Sequence, residues 1–135
     1  MKKIPGIFLW MGVMVTVTFA QKVAAAKVPA AVKTAFAKNH PGVKVNWEKE
    51  KQNYEAGFSV NGRETSAVYA VSGSLIETEV SIKTSEFPAA VMAKLKGMKI
   101  TEAAKITKAD GTVNYEAEVK GKDLLFDANG KPVKF

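Results

Sequence analysis

Two stretches of the chain carry apolar residues at the spacing of an amphipathic helix, and a proline stands near the start of each. The apolar positions of the first stretch are Val28, Ala31, Val32, Ala35 and Phe36. Those of the second are Phe87, Ala90, Val91 and Leu95. Because proline is tolerated at the first helical position and this spacing places the apolar residues on one face, we predict two helices. The first should end near Asn39-His40-Pro41-Gly42, and the second at Gly97.

After each helix the pattern changes to the strict alternation of β-strands. Val43, Val45 and Trp47 share one phase, and so do Tyr54, Ala56, Phe58 and Val60. Asn61-Gly62 is a strong hairpin signal, and further turns are expected at Ser72-Gly73, Asp110-Gly111, Gly121-Lys122 and Asn129-Gly130. One-sided alternation predicts antiparallel strands with one face on a core and the other face in water.

The helix-and-strands pattern occurs twice, since Val28-Pro29-Ala30-Ala31-Val32 recurs as Phe87-Pro88-Ala89-Ala90-Val91. We therefore predict an α+β fold built as a tandem repeat of α-β-β-β(-β) units, an antiparallel sheet with helices packed on one face. The repeats would cover about residues 27-82 and 86-135 of a single domain spanning 21-135. The pattern leaves open whether the two halves form one continuous sheet or two.

Residues 1-20 are typical of a secretory signal peptide. Lys2 and Lys3 precede an uncharged apolar stretch from Ile7 to Phe19, which is shorter than a membrane span. Cleavage is expected after Ala20, with Ala26 as an alternative site. Because the chain has no cysteine to acylate, we expect a periplasmic or secreted protein with no stable membrane anchor.

Composition removes several classes of function. The 135 residues include no cysteine and one histidine, His40, which excludes disulfide frameworks, zinc fingers, iron–sulfur clusters and thiol nucleophiles. The 20 basic and 13 acidic residues give a net charge of +7, but the basic residues are spread along the chain and Arg63 is the sole arginine. This distribution, with export, argues against nucleic acid as a partner.

None of the polar clusters predicts catalysis. His40 stands in a helix-ending turn, and Asp127-Ala128-Asn129-Gly130 reads as a hairpin turn because no glutamate follows to complete a calcium loop. The pairs Glu48/Glu50 and Glu116/Glu118 share strand faces, but exposed strands rich in lysine would not shift their pKa values as acid–base catalysis requires. We predict no enzyme, no catalytic residue, no metal site and no cofactor.

The strand aromatics have two interpretations. Their apolar phase favours core packing, and the alternative is an exposed sheet face that binds a protein through aromatic anchors. Under that alternative the candidate partner-binding residues are Trp47 and Tyr69, which stand near turns.

Three segments carry a family resemblance: Tyr54-Glu55-Ala56-Gly57-Phe58, Val68-Tyr69-Ala70-Val71-Ser72-Gly73, and Leu125-Phe126-Asp127-Ala128-Asn129-Gly130. In this order they resemble the exported bacterial PepSY-like family, also described as β-lactamase-inhibitor-like (BLIP-like) proteins. The resemblance covers about residues 27-135 and implies the tandem α/β architecture of β-lactamase inhibitory proteins. Ala70 departs from the pattern where the second copy has Asp127, which suggests that the acid shapes a turn.

These observations favour a non-enzymatic protein-binding module of the cell envelope, whose partner is another exported or envelope protein. An inhibitor-like action on that partner is the more specific form of the hypothesis. The alternative is a periplasmic protein that sequesters small ligands or peptides in envelope stress, which predicts a pocket and a ligand-dependent rise in melting temperature.

Overall fold

A computed structural model describes residues 21–134, so the predicted signal peptide and Phe135 lie outside the described residues. The strands are β1 (Gln21–Val23), β2 (Asn46–Glu50), β3 (Asn53–Val60), β4 (Arg63–Tyr69), β5 (Leu75–Ser81), β6 (Ile100–Lys108), β7 (Val113–Val119) and β8 (Lys122–Asp127). The helices are α1 (Ala30–Asn39) and α2 (Ala89–Lys94), with 3₁₀ turns at Ala25–Lys27 and Thr84–Glu86. None of the helices within 21–134 is long and apolar enough to cross a membrane.

The predicted fold class is wrong. The structure has one eight-stranded antiparallel sheet in the order β1 to β8, and not tandem α-β-β-β units with helices packed on one face. Strands make up 46% and helices 19% of the described residues, so the fold is dominated by its sheet. The recurring proline motif suggested that each helix opens a separate unit. The helices are in fact short, and α2 spans only six residues with Val91 as its buried residue.

The contacts of the chain divide it after Thr78 into two compact units. The predicted repeat boundaries, 27-82 and 86-135, stay a prediction. In the first unit the core contains Val28, Val32, Phe36, Trp47, Tyr54, Ala56, Phe58, Ala67 and Tyr69. In the second the core contains Phe87, Val91, Leu95, Ala103, Ala117 and Phe126. Four residues of the predicted apolar phases are therefore core positions, Trp47, Tyr54, Ala56 and Phe58, whereas Val60 of the same phase is 36% exposed.

The hairpin turn at Asn61-Gly62 is confirmed, because both residues have positive φ angles, 51° and 81°, between β3 and β4. Consecutive positive φ values favour the Asn-Gly dipeptide and match the twist of two antiparallel strands. After β8 the chain makes one isolated bridge, between Pro132 and Phe126, supported by a hydrogen bond from the Val133 amide to the Leu125 carbonyl.

Asp127 organises the turn that follows β8. Its Oδ1 accepts hydrogen bonds from the backbone amides of Asn129 at 2.8 Å and Lys131 at 3.0 Å. In the corresponding turn after β4, Ala70 has no such oxygen, and the hydroxyl of Ser72 accepts instead from the Ser74 amide at 3.4 Å. Asp127 therefore has the geometry of a turn-shaping residue. That role was suggested by the sequence, because the first copy has Ala70 at the corresponding position.

Replacing Asp127 with alanine removes the oxygen that accepts both hydrogen bonds, so we expect the free energy of unfolding to fall by about 1 to 2 kcal/mol. Asp127→Asn keeps a side-chain oxygen at this position and should lose less than half of that. Urea denaturation of the two variants beside the unmodified protein measures the difference. An Asp127→Ala protein with an unchanged midpoint would show that these bonds add nothing to the turn.

Candidate functional site

The two predicted partner-binding residues lie in the core of the first unit. Trp47 is 6% exposed and meets Phe36 edge to face with 5.6 Å between ring centroids. Tyr69 is 1% exposed. Burial raises its pKa, and a side-chain hydrogen bond with Asn39 partly lowers it. Their role in partner binding stays a prediction, and packing is the role that their contacts show here.

His40, the single histidine, is packed against aromatic rings. Its ring centroid lies 5.1 Å from that of Phe36 and 4.5 Å from that of Phe58. The residue follows α1, and its backbone amide donates to the Phe36 carbonyl at the helix end. These contacts give His40 a place in the local packing at the end of the helix.

Acidic residues gather on one face of the strands of the first unit. The register pairs Trp47 with Ala56 and Ala56 with Ala67, which defines the core face of β2, β3 and β4. The side chains of the neighbouring residues in each strand point to the opposite face of the sheet. That second face, called the acidic face below, carries Glu48, Glu50, Glu55 and Glu64. The basic residues Lys49 and Arg63 belong to the core-face phase of these strands.

Glu55 is the most unusual residue of the acidic face. It is 3% exposed and stands directly opposite Glu48 across β2 and β3. The pKa of Glu55 is raised to about 8, mainly by burial and also by the charges of Glu48, Glu50 and Glu77, while a hydrogen bond with Ser66 lowers it. Burial also raises the pKa of Glu48, opposed by Lys22 and reinforced by Glu50. The face therefore holds a carboxyl group that stays neutral at pH 7.

The second unit has its own row of carboxylates. Glu102, Glu118 and Asp123 are opposite one another across β6, β7 and β8, on the face away from Ala103 and Ala117. Burial raises the pKa of Asp123 to about 6, with Glu118 and Glu102 adding to the shift. Among residues 21–134, no three histidine, aspartate or glutamate side chains are grouped so that they could hold a metal ion.

The pairs Glu48/Glu50 and Glu116/Glu118 were predicted to lie on exposed strand faces, and that was wrong for Glu116, which is 4% exposed. Glu55, which belongs to neither pair, is 3% exposed. Alternation assigns a residue to a face of its strand, but it does not say whether that face is covered. A usable signal was present, because each glutamate stands between a tyrosine and an alanine in mid-strand, as Tyr54-Glu55-Ala56 and Tyr115-Glu116-Ala117.

Several solved structures from Bacteroides have the same fold. A candidate periplasmic protein of Bacteroides eggerthii superposes with a TM-score of 0.73 at 20% identity, covering 79% of this chain and 86% of that one. A DUF2874 family protein of Bacteroides uniformis gives 0.72 at 21% identity, covering 78% and 86%. A BLIP-like protein of Bacteroides fragilis gives 0.65 at 19% identity, covering 78% and 84%.

No protein-family model and no curated protein matches the chain. The structural neighbours bear no enzymatic name, and one of them is described as a periplasmic candidate. They support the BLIP-like part of the resemblance and not its PepSY-like part. At these identities the likeness establishes the fold alone, so the chain has the fold of these BLIP-like and DUF2874 proteins.

Proposed function

We propose that the protein is an exported, non-enzymatic binding module of the cell envelope that engages another exported protein through the acidic face of its strands. The observation that carries the proposal is the fold, which is shared with a BLIP-like protein and a candidate periplasmic protein. Fold alone does not fix function, so the surface has to be argued from this chain's own residues.

The charges of the first unit favour a partner with a basic surface. The protein as a whole is basic, yet Glu50 and Glu64 share one face of β2 to β4 with the half-buried Glu48. Glu55 of the same face is buried and neutral at pH 7, so it adds no charge for a partner. A face of one sign on a molecule of the opposite net charge selects complementary partners and disfavours others. The lysines elsewhere on the protein would repel a basic partner, and this repulsion would orient the partner toward the acidic face.

Export with cleavage after Ala20 belongs to the same proposal. Strand β1 begins at Gln21 and pairs with β2 through three residues, with Val23 opposite Trp47. Cleavage after Ala26 would remove that strand and leave the outer side of β2 open to pairing with another chain. Cleavage after Ala20 keeps the strand, and the mass of the exported protein distinguishes the two sites.

The proposed surface is tested by charge reversal. The double variant Glu50→Lys, Glu64→Lys changes the acidic face, and Lys33→Glu, Lys38→Glu changes helix α1 by the same number of charges in the opposite sense. We expect the unmodified protein, immobilised and exposed to the exported fraction of its own cells, to retain one protein in stoichiometric amount. The acidic-face variant should reduce retention at least tenfold, and the α1 variant should retain the partner.

Equal retention by both variants would contradict binding through the acidic face, provided that their melting temperatures match. Retention of no protein by any of them would contradict the binding-module proposal itself. The more specific inhibitor-like role has a direct assay, in which the protein is titrated against the captured partner or a panel of exported hydrolases, β-lactamases included. Unchanged turnover at saturating protein would remove that role.

A further inference from the structure

Two buried carboxylate oxygens belong to residues that are paired across β2 and β3. Glu48 and Glu55 are a directly opposed pair in the register, and both belong to the acidic face. Side chains in such a pair have Cβ atoms about 5 Å apart, close enough for two glutamates to meet. Within residues 21–134, neither Oε1 of Glu48 nor Oε2 of Glu55 has a hydrogen-bond partner, although both atoms are buried.

The groups around the pair do not balance two negative charges. Lys22 on β1 is opposite Glu48, and Ser66 on β4 forms a hydrogen bond with Glu55. Glu50 on β2 and Glu77 on β5 add negative charge nearby. Two ionised carboxylates in this setting would repel each other, because Glu55 is almost wholly shielded from solvent and Glu48 is half-buried, and each would keep an unsatisfied acceptor.

A single proton removes both difficulties. When one carboxyl is protonated, its O–H donates to the oxygen of the other, so the two unsatisfied atoms become donor and acceptor of one short hydrogen bond. The charge of the pair falls from two to one, which Lys22 can balance. A larger cation would need further ligands around these buried atoms, whereas a proton needs only the two oxygens.

We propose that Glu48 and Glu55 form a proton-binding site, in which one proton taken from solvent is shared between Oε1 of Glu48 and Oε2 of Glu55. Release of that proton to solvent leaves two ionised carboxylates, each with a buried and unsatisfied oxygen, and weakens the first unit. The site is independent of the proposed partner, because its atoms are buried in the chain alone.

The electrostatics agree with this assignment. Burial raises the pKa values of both glutamates, that of Glu55 to about 8, so the proton is bound at neutral pH in the folded protein. An unfolded chain would release it near pH 4.5. Stability from the bound proton is therefore complete below pH 4.5 and is lost as the pH rises through about 8. The titration belongs to the pair and not to either residue alone.

Two glutamine variants and one control test the site. Glutamine supplies a permanent N–H donor, so Glu55→Gln or Glu48→Gln should each replace the shared proton. For the unmodified protein we expect the folding equilibrium constant to fall about tenfold per pH unit between pH 5 and 8, relative to either variant. The control is Glu64→Gln, at an exposed position of the same face, which should keep the unmodified profile.

The pair of single variants separates a shared proton from a lone buried acid. Sharing predicts that Glu48→Gln and Glu55→Gln flatten the pH profile equally, and that the double variant flattens it no further. If Glu48→Gln keeps the full loss of stability toward pH 8, Glu55 is a lone buried acid and the proposal is overturned.

Carbon-13 spectra of the unmodified protein give a second readout that needs no variant to fold. At pH 6.5 the Glu48 and Glu55 carboxyl shifts should together report one bound proton. If both carboxyls instead titrate fully below pH 5, no proton is held at neutral pH and the site does not exist. Neither result depends on whether the protein binds a partner.

Discussion

Alanine at Gly73 or Gly130 is expected to lower the free energy of unfolding by roughly 3 kcal/mol or more. Each glycine has a positive φ, 94° and 81°, in the turn after a strand. A Cβ at Gly73 would lie 2.7 Å from the carbonyl oxygen of Ala31, and a Cβ at Gly130 would lie 2.6 Å from that of Ala90. Helix backbone cannot move aside as a flexible side chain can, so the turn and the helix must separate.

Two other glycines isolate the contribution of this contact. Gly111 has a φ of 91° and Gly62 a φ of 81°, and neither would place a Cβ within 4 Å of another atom. Gly111→Ala therefore matches Gly73→Ala in backbone strain, and Gly62→Ala matches Gly130→Ala. The positive φ alone should lower the free energy of unfolding of each control variant by about 1 to 2 kcal/mol, measured by urea denaturation. If Gly73→Ala and Gly130→Ala lose no more stability than their controls, the close approach of turn and helix does not exist in solution.

These glycines also show how far the sequence could predict the fold. The turns themselves follow from local chemistry, since Asn-Gly and Asp-Gly dipeptides favour turns, and Gly62 and Gly111 have positive φ here. The contact of Gly73 with Ala31 is tertiary, and no local pattern distinguishes Gly73 from Gly111. The same limit explains the incorrect fold class, because alternation predicts strands and their faces but not which strands continue a sheet.

The candidate site divides in the same way. Alternation placed Glu48 and Glu55 on the face away from Trp47, and the structure agrees. What could not be predicted was that Glu55 is only 3% exposed, because burial of the second face depends on how the rest of the chain covers it. For Trp47 and Tyr69 the sequence offered core packing and partner binding together, and only burial in the structure separates the two.

The consequence for Trp47 is a large loss of stability on truncation. Trp47 is 6% exposed and packs against Phe36, whose ring also meets Phe58 with 5.0 Å between centroids. Trp47→Ala should lower the free energy of unfolding by about 3 to 5 kcal/mol, because it removes a large buried ring and leaves a cavity. The surface control is Val71→Ala, since Val71 is 53% exposed and its truncation should change stability by less than about 0.5 kcal/mol.

Trp47→Ala also tests the hypothesis that Trp47 and Tyr69 bind a partner. If the rings are core residues in solution, Trp47→Ala loses stability and partner retention together, and Tyr69→Phe, which keeps the ring and removes only the hydroxyl, retains the partner. A Trp47→Ala protein that is as stable as the unmodified one but no longer retains the partner would mean that the indole leaves the core in solution. Partner binding would then be assigned to the aromatic side chains rather than to the acidic face.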